Sequence, residues 1–283
     1  MIALLLALAA WGATPEETVL DALQTADYAS VADDAGLSDE ALEALAEHPD
    51  WRVRVQAMAA LSARRDPALA ATVASAQPSM SRAGVLRFAD PALVQDAAVP
   101  LMVDRLVHGG DDAQGRAAIV DMLRRTRGDW TDAVVALIPA EPDPWARAAM
   151  VAALEKAPGA SAMDGIRAAA ADPAAQVRAA AMRAVGGRSD GAEQADIVLA
   201  GLSDPEPQVR ADAAQAAGWR HIAAAWAPLV GLLADRDASV RLRALRGLQK
   251  LDPAQAAHLP LVDALCHDPD PKVQAAARSI RGQ

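Results

Sequence analysis

Residues 172–185 read DPAAQVRAAAMRAV, and the same frame returns without gaps as DPEPQVRADAAQAA from Asp204, DRDASVRLRALRGL from Asp235 and DPDPKVQAAARSIR from Asp268. Looser copies precede them: HPDWRVRVQAMAAL from His48, AQPSMSRAGVLRFA from Ala76, GDDAQGRAAIVDML from Gly110 and EPDPWARAAMVAAL from Glu141. Self-similarity at a fixed interval is the mark of a repeat architecture. A basic residue heads each copy: Arg54, Arg82, Arg116, Arg147, Arg178, Arg210 and Arg241, with Gln274 in the eighth. Successive markers are 28 to 34 residues apart. Eight units of about 31 residues therefore fill nearly everything after position 36.

Each unit has one internal grammar. An Asp-Pro turn is expected to end one helix and start the next, because proline suits a first helical turn and not an interior. The motif helix then places Val177, Ala181, Ala184 and Val185 on one face, at helical spacing. A second amphipathic stretch lies upstream, EQADIVLAGL from Glu193 or WAPLVGLLAD from Trp226. The unit is a helical hairpin, neither helix can bury its face alone, and stacking neighbours solves the problem. The expected fold is all-α, a right-handed α-solenoid of about eight stacked hairpins over residues 37–283. In the last copy Arg278 and Arg281 stand where an earlier one has Met182 and Val185. Charges on a stacking face suit a capping repeat and predict that the array ends there.

The Asp-Pro-x-x-x-Val-Arg-x-x-Ala-x-x-Ala-Leu pattern resembles the HEAT repeat, in the short form first described in phycobilin lyases. The resemblance is close in the four C-terminal copies and looser before Glu141. It implies that the motif Asp and Arg tie neighbouring repeats together, which carries over to Asp172/Arg178, Asp204/Arg210 and Asp235/Arg241. It fixes architecture and not function, since lyases, DNA-repair enzymes and scaffolds share the repeat.

Composition narrows the classes. Hydrophobic residues make up 53% of the 283 and aromatics 3%, which excludes a disordered chain and argues against a β-sandwich or barrel. The lone Cys266 excludes an intrachain disulfide framework and a Cys-rich zinc site, and reads as a buried thiol. Residues 1–13 open on the apolar run Ile2–Ala10, too short to span a bilayer and right for the core of an export signal, although no Lys or Arg precedes it. A first solenoid helix is the alternative; export predicts a periplasmic or secreted protein, and otherwise a cytoplasmic one. No later segment is apolar enough to span a membrane. The net charge of −10 is uneven: Glu16–Asp50 holds 11 acidic residues and no basic one, leaving 26 of the 37 acids against all 27 bases in the rest. Residues 14–36 are expected to open an acidic solubilising cap, or to dock on a basic partner or cover a basic stripe. Nucleic acid is disfavoured by the acidity, less strongly once that segment is set apart.

Several motifs invite chemistry. Gly187-Arg188-Ser189-Asp190-Gly191 fits G-x-S-x-G, but a nucleophile elbow needs a strand entering a helix, and these residues join two helices. His48, His108, His221, His258 and His267 show no metal-ligand spacing, and no phosphate-binding glycine loop is present. No catalytic residue, metal or cofactor is assigned. The repeated Arg residues read as a structural ladder rather than a basic track. The candidate surface is instead the stripe two and five residues after each marker, expected to point away from the core on the concave face, as at Gly84/Arg87, Ala118/Asp121, Ala180/Arg183, Asp212/Gln215 and Arg243/Arg246. One turn later come Arg125, Lys156, Trp219 and Lys250. Arg87, Arg125, Lys156, Arg183, Arg243, Arg246 and Lys250 make it basic-leaning, suited to an acidic protein partner; an ordinary solvated face is the alternative. Trp219 and Trp226 bracket a short turn and read either as interface anchors or, more plainly, as hairpin core. Trp51 and Trp145 are expected to pack between repeats.

The expected function is a non-catalytic, monomeric protein-interaction scaffold with no small-molecule substrate. A structural subunit of a cell-envelope complex is one alternative. A lyase or DNA glycosylase-type enzyme on the same repeat is the other.

Overall fold

Periodic alanine and leucine produce short helices joined by tight turns. A computed structural model describes residues 38–46, 98–108, 113–126 and 129–282. The export segment 1–13, the cap 14–36, Trp51 and Arg87 lie outside them. By its contacts the chain divides into two compact units, Met1–Leu137 and Ile138–Gln283. Among the described residues every regular element is helical.

In the first unit these are α1 (Asp39–Ala46), α2 (Ala98–His108), α3 (Ala113–Leu123) and α4 (Thr131–Leu137). The Ser38 hydroxyl accepts a bond from the Ala41 amide at 3.1 Å, capping α1. Helix α2 buries Val99, Met102 and Leu106 and packs on α3 and α4.

In the second unit the order is α5 (Pro144–Ala153), α6 (Ala160–Ala169), α7 (Ala175–Gly187), α8 (Ala195–Gly201), α9 (Pro207–Trp219), α10 (Trp226–Leu232), α11 (Ala238–Leu251), α12 (Pro253–Ala257), α13 (Pro260–Leu265) and α14 (Pro271–Arg281). The motif helices α5, α7, α9, α11 and α14 form one layer, each packed on the next. Helices α6, α8, α10 and α13 form the other, each against the motif helix that follows it. This is a solenoid of helical hairpins.

The motif layer is built from small residues. Val177, Ala181, Ala184 and Val185 are buried in α7, as are Val209, Ala213, Ala216 and Ala217 in α9. Glycine lets α9 and α11 meet backbone to backbone: a Cβ on Gly218 would lie 2.8 Å from the Gly247 Cα. Such a fit favours close stacking of uniform layers.

The turns differ from the sequence expectation in one respect. Pro173 and Pro205, which follow the motif Asp, stand outside the helices, which start at Ala175 and Pro207. The motif carboxylate instead accepts the amide two residues on, Asp172 from Ala174 at 2.8 Å and Asp204 from Glu206 at 2.9 Å. Pro144, Pro207, Pro253, Pro260 and Pro271 do open helices. The motif Asp therefore shapes a turn and leaves its outer lone pairs free for another partner.

Candidate functional site

Those lone pairs meet the marker arginines of the preceding repeat. Arg147 Nε lies 3.0 Å from Asp172 Oδ2, Arg178 Nε 2.7 Å from Asp204 Oδ2, Arg210 Nε 2.8 Å from Asp235 Oδ2, and Arg241 Nε 2.7 Å from Asp268 Oδ2. In each pair Nη2 bonds the other carboxylate oxygen, making a two-pronged fork. The remaining Nη1 turns back to its own repeat, where Arg210 donates to the Asp204 and Pro205 carbonyls at 2.8 Å. Each guanidinium thus joins its own loop to the next.

Burial pushes the Asp204 and Asp235 carboxyls up, but the guanidinium and backbone bonds outweigh it and hold both below the usual carboxylate range. The Arg241 fork does the same for Asp268. The Asp bonds in turn raise Arg147, Arg178, Arg210 and Arg241 against the opposing effect of burial. Engaged in this way, the ladder residues present no open charge for a ligand.

The Gly187–Gly191 loop holds a second staple. Arg188 is buried and donates to the Leu154 carbonyl at 2.8 Å and the Ala157 carbonyl at 2.6 Å, while its other nitrogens grip Asp190 at 2.8 Å. One repeat later Arg220 Nη1 donates to the Arg188 carbonyl at 2.7 Å. A Cβ on Gly191 would stand 2.0 Å from the Val185 carbonyl oxygen, so glycine is required there. Loop closure accounts for the G-x-S-x-G match. The signal for the staple was in the sequence: Arg188 and Arg220 follow motif helices in the same register.

The stripe resolves into unlike parts. Ala180 and Asp212, expected to face outward, are buried between motif helices. Asp212, with a side chain 1% exposed, takes a bond from Arg183 Nη1 at 2.6 Å and one from Gln208 at 2.9 Å. Its Oδ1 has no hydrogen-bond partner, and Arg243 Nη1 stands 3.8 Å from it. Arg183 is therefore neutralised from the next helix, and Arg243 leans on the same carboxylate. The sequence clue to Asp212 was a lone charge in an alanine run where the preceding copy has Ala180. Arg125 pairs with Asp121, and Lys156 with Glu155 at 3.1 Å. Arg246 and Lys250 are exposed and without an ion-pair partner among the described residues.

The tryptophans also depart from expectation. Trp219 is 44% exposed and lines a shallow hollow with Gln215, Arg243, Arg246, Gly247 and Lys250. Trp226 is half-buried. Trp145 is 54% exposed, because the first turn of α5 carries its ring into solvent rather than between repeats. Cys266 is buried. No cluster of three or more His, Cys, Asp or Glu suited to a metal occurs among the described residues, and no described helix is long and apolar enough to cross a membrane.

The HEAT-repeat family model matches residues 195–281, the stretch that holds the last ladder rungs and the hollow. The helical hairpins over residues 195–281 are thus HEAT-like repeats. Solved structures share the HEAT-like fold at low identity. YIBA of E. coli matches with a TM-score of 0.59 and 16% identity, over 92% of this chain and 97% of that one. Kap121p matches with a TM-score of 0.60 and 13% identity, over 94% of this chain and 35% of Kap121p. A structure concerning Kap95p, whose binding induces the switch loops of RanGDP to adopt the GTP-bound conformation, matches with a TM-score of 0.57 and 14% identity, over 86% of this chain and 39% of that one. A comparison with curated proteins gives no match.

Proposed function

We propose that this HEAT-like chain is a protein-interaction scaffold without chemistry of its own, which offers the open face of its motif helices to an acidic protein partner. The observation that carries the reading is the exposed Trp219 beside Arg246 and Lys250, two cations without an ion-pair partner among the described residues. Tryptophan and arginine are the side chains from which interface anchors are most often built. The Asp and Arg residues of the ladder hold repeats together and leave that face rigid, which lowers the ordering cost of binding. Kap95p supplies an analogy at the level of fold alone, a solenoid whose binding acts on another protein. The export reading of residues 1–13 would place a monomeric scaffold and its partner in the periplasm or outside the cell.

The test is capture from the native host on immobilised protein, with cross-linking and stoichiometry measured. One polypeptide should be retained in fixed ratio and lost on joint charge reversal of the exposed Arg246 and Lys250 to Glu, with helical CD unchanged. Retention that survives the reversal removes the basic face from the reading. Absence of any stoichiometric protein removes the scaffold.

A further inference from the structure

The basic stripe is not one binding track, because the protein has already spent part of it. Asp212 neutralises Arg183 at 2.6 Å, Asp121 holds Arg125, and Glu155 holds Lys156. Among the described stripe residues, what remains open is gathered at the hollow between α9 and α11. The Gly218–Gly247 approach draws the two helices together, and Gly247, which has no side chain, lines the hollow. Trp219 follows Gly218 and cannot enter that seam. Its ring is backed instead by α7, where a Cβ on Gly186 would lie 3.4 Å from Trp219 Cε3. The remainder of the ring is left to solvent.

Arg246 and Lys250 are four residues apart on α11, so they stand on one face of the helix, about 6 Å apart at their Cβ atoms. Arg243 is one turn earlier and faces the unbonded Oδ1 of Asp212 at 3.8 Å. The hollow therefore offers an aromatic surface, two cations with no ion-pair partner among the described residues, and a third that is half-engaged. That set matches a ligand with at least two carboxylates and an apolar side chain beside them. Carboxylates alone would gain little from exposed cations in water; an apolar side chain covering the indole excludes water and strengthens the same pairs.

We propose that this hollow is the docking point for an acidic peptide segment of a protein partner, with an aliphatic side chain laid on Trp219 and carboxylates held by Arg246 and Lys250. The proposal rests on the scaffold reading and narrows it: Arg183, though basic and exposed, contributes nothing to recognition.

The experiment uses the full chain and a fluorescein-labelled peptide, Glu-Glu-Leu-Glu-Glu-Leu-Glu-Glu, followed by anisotropy. Controls replace each Leu by Ser or each Glu by Lys. The Leu-containing acidic peptide should bind at least fivefold more tightly than the Ser version, and the Lys version should not bind. The double variant R246E/K250E, which alters exposed positions and leaves the fold alone, should weaken binding at least tenfold. W219A should remove the preference for Leu over Ser, and R183A should change affinity less than twofold. A wild-type chain that does not take up the peptide overturns the hollow, as does equal binding by R246E/K250E or an undiminished Leu preference in W219A. Loss of binding in R183A equal to that of the double variant restores the long stripe and overturns the narrowing. In each of these cases stoichiometric capture of a native partner still stands as the separate measure of the scaffold.

Discussion

At the scale of the residue, one kind of side chain does two jobs in this protein. Arg210 sends a fork to Asp235 of the next repeat and Nη1 to two carbonyls of its own loop. Arg246, on the next motif helix, has no ion-pair partner among the described residues. Burial decides between the roles. A half-buried guanidinium must find acceptors for its donors, whereas an exposed one is satisfied by water. Truncation at the two sites should therefore differ sharply. Arg210→Ala removes four bonds and strands the mostly buried Asp235, so unfolding in urea should show a loss of about 2–4 kcal/mol. Arg236→Ala, an exposed side chain in the same turn, should stay within about 0.5 kcal/mol of wild type. Equal values for the two would mean that the fork contributes no more than a surface pair.

At the scale of the element, packing rests on which glycines are enclosed. Gly218 lies in the seam of α9 and α11, and an added Cβ would meet backbone, which cannot swing aside. Gly231 of α10 has nothing within 4 Å of the same position. Gly218→Ala should cost about 1–3 kcal/mol through overpacking, and Gly231→Ala should gain about 0.5–1 kcal/mol through the unfolded chain and helix propensity. A thermal unfolding pair decides it, and a benign Gly218→Ala would refute the close approach. The helices themselves were legible in the sequence because their apolar positions recur at helical spacing within a fixed repeat. Their ends were less so. Helix α9 stops with neither Gly nor Pro: His221 takes the left-handed conformation, φ 51°, and the Ile222 amide closes on the Ala217 carbonyl. The outward stripe was misread at Ala180 and Asp212 because a motif helix in a layer is flanked by two others as well as by its own hairpin mate, so its buried arc exceeds the one-sided face that periodicity reports.

At the scale of the molecule, the ladder makes stability depend on acid. Repeat proteins gain stability from nearest-neighbour interfaces, and between α5 and α14 each interface in turn contains one Arg–Asp fork. Asp204, Asp235 and Asp268 are held below the ordinary carboxylate value in the folded chain. A carboxyl shifted in that direction binds protons more weakly when folded than when unfolded. Its contribution is complete above the unfolded value, about 4, and drains away as pH falls through the folded value. The forks should thus leave stability flat from neutral pH to about 5 and erode it below about 4. Asp190, held low by the buried Arg188, adds to the same slope. Urea midpoints measured from pH 7 to pH 2.5 should fall over the acid end, and Asp235→Asn should begin lower at pH 7 yet lose less on acidification, having one shifted carboxyl fewer. The pairs are largely shielded from solvent, so moderate salt should not abolish the effect. Parallel curves for wild type and Asp235→Asn would show that the acid sensitivity arises elsewhere in a chain of 37 acidic residues, and that the ladder sets the geometry of the repeats without setting their stability.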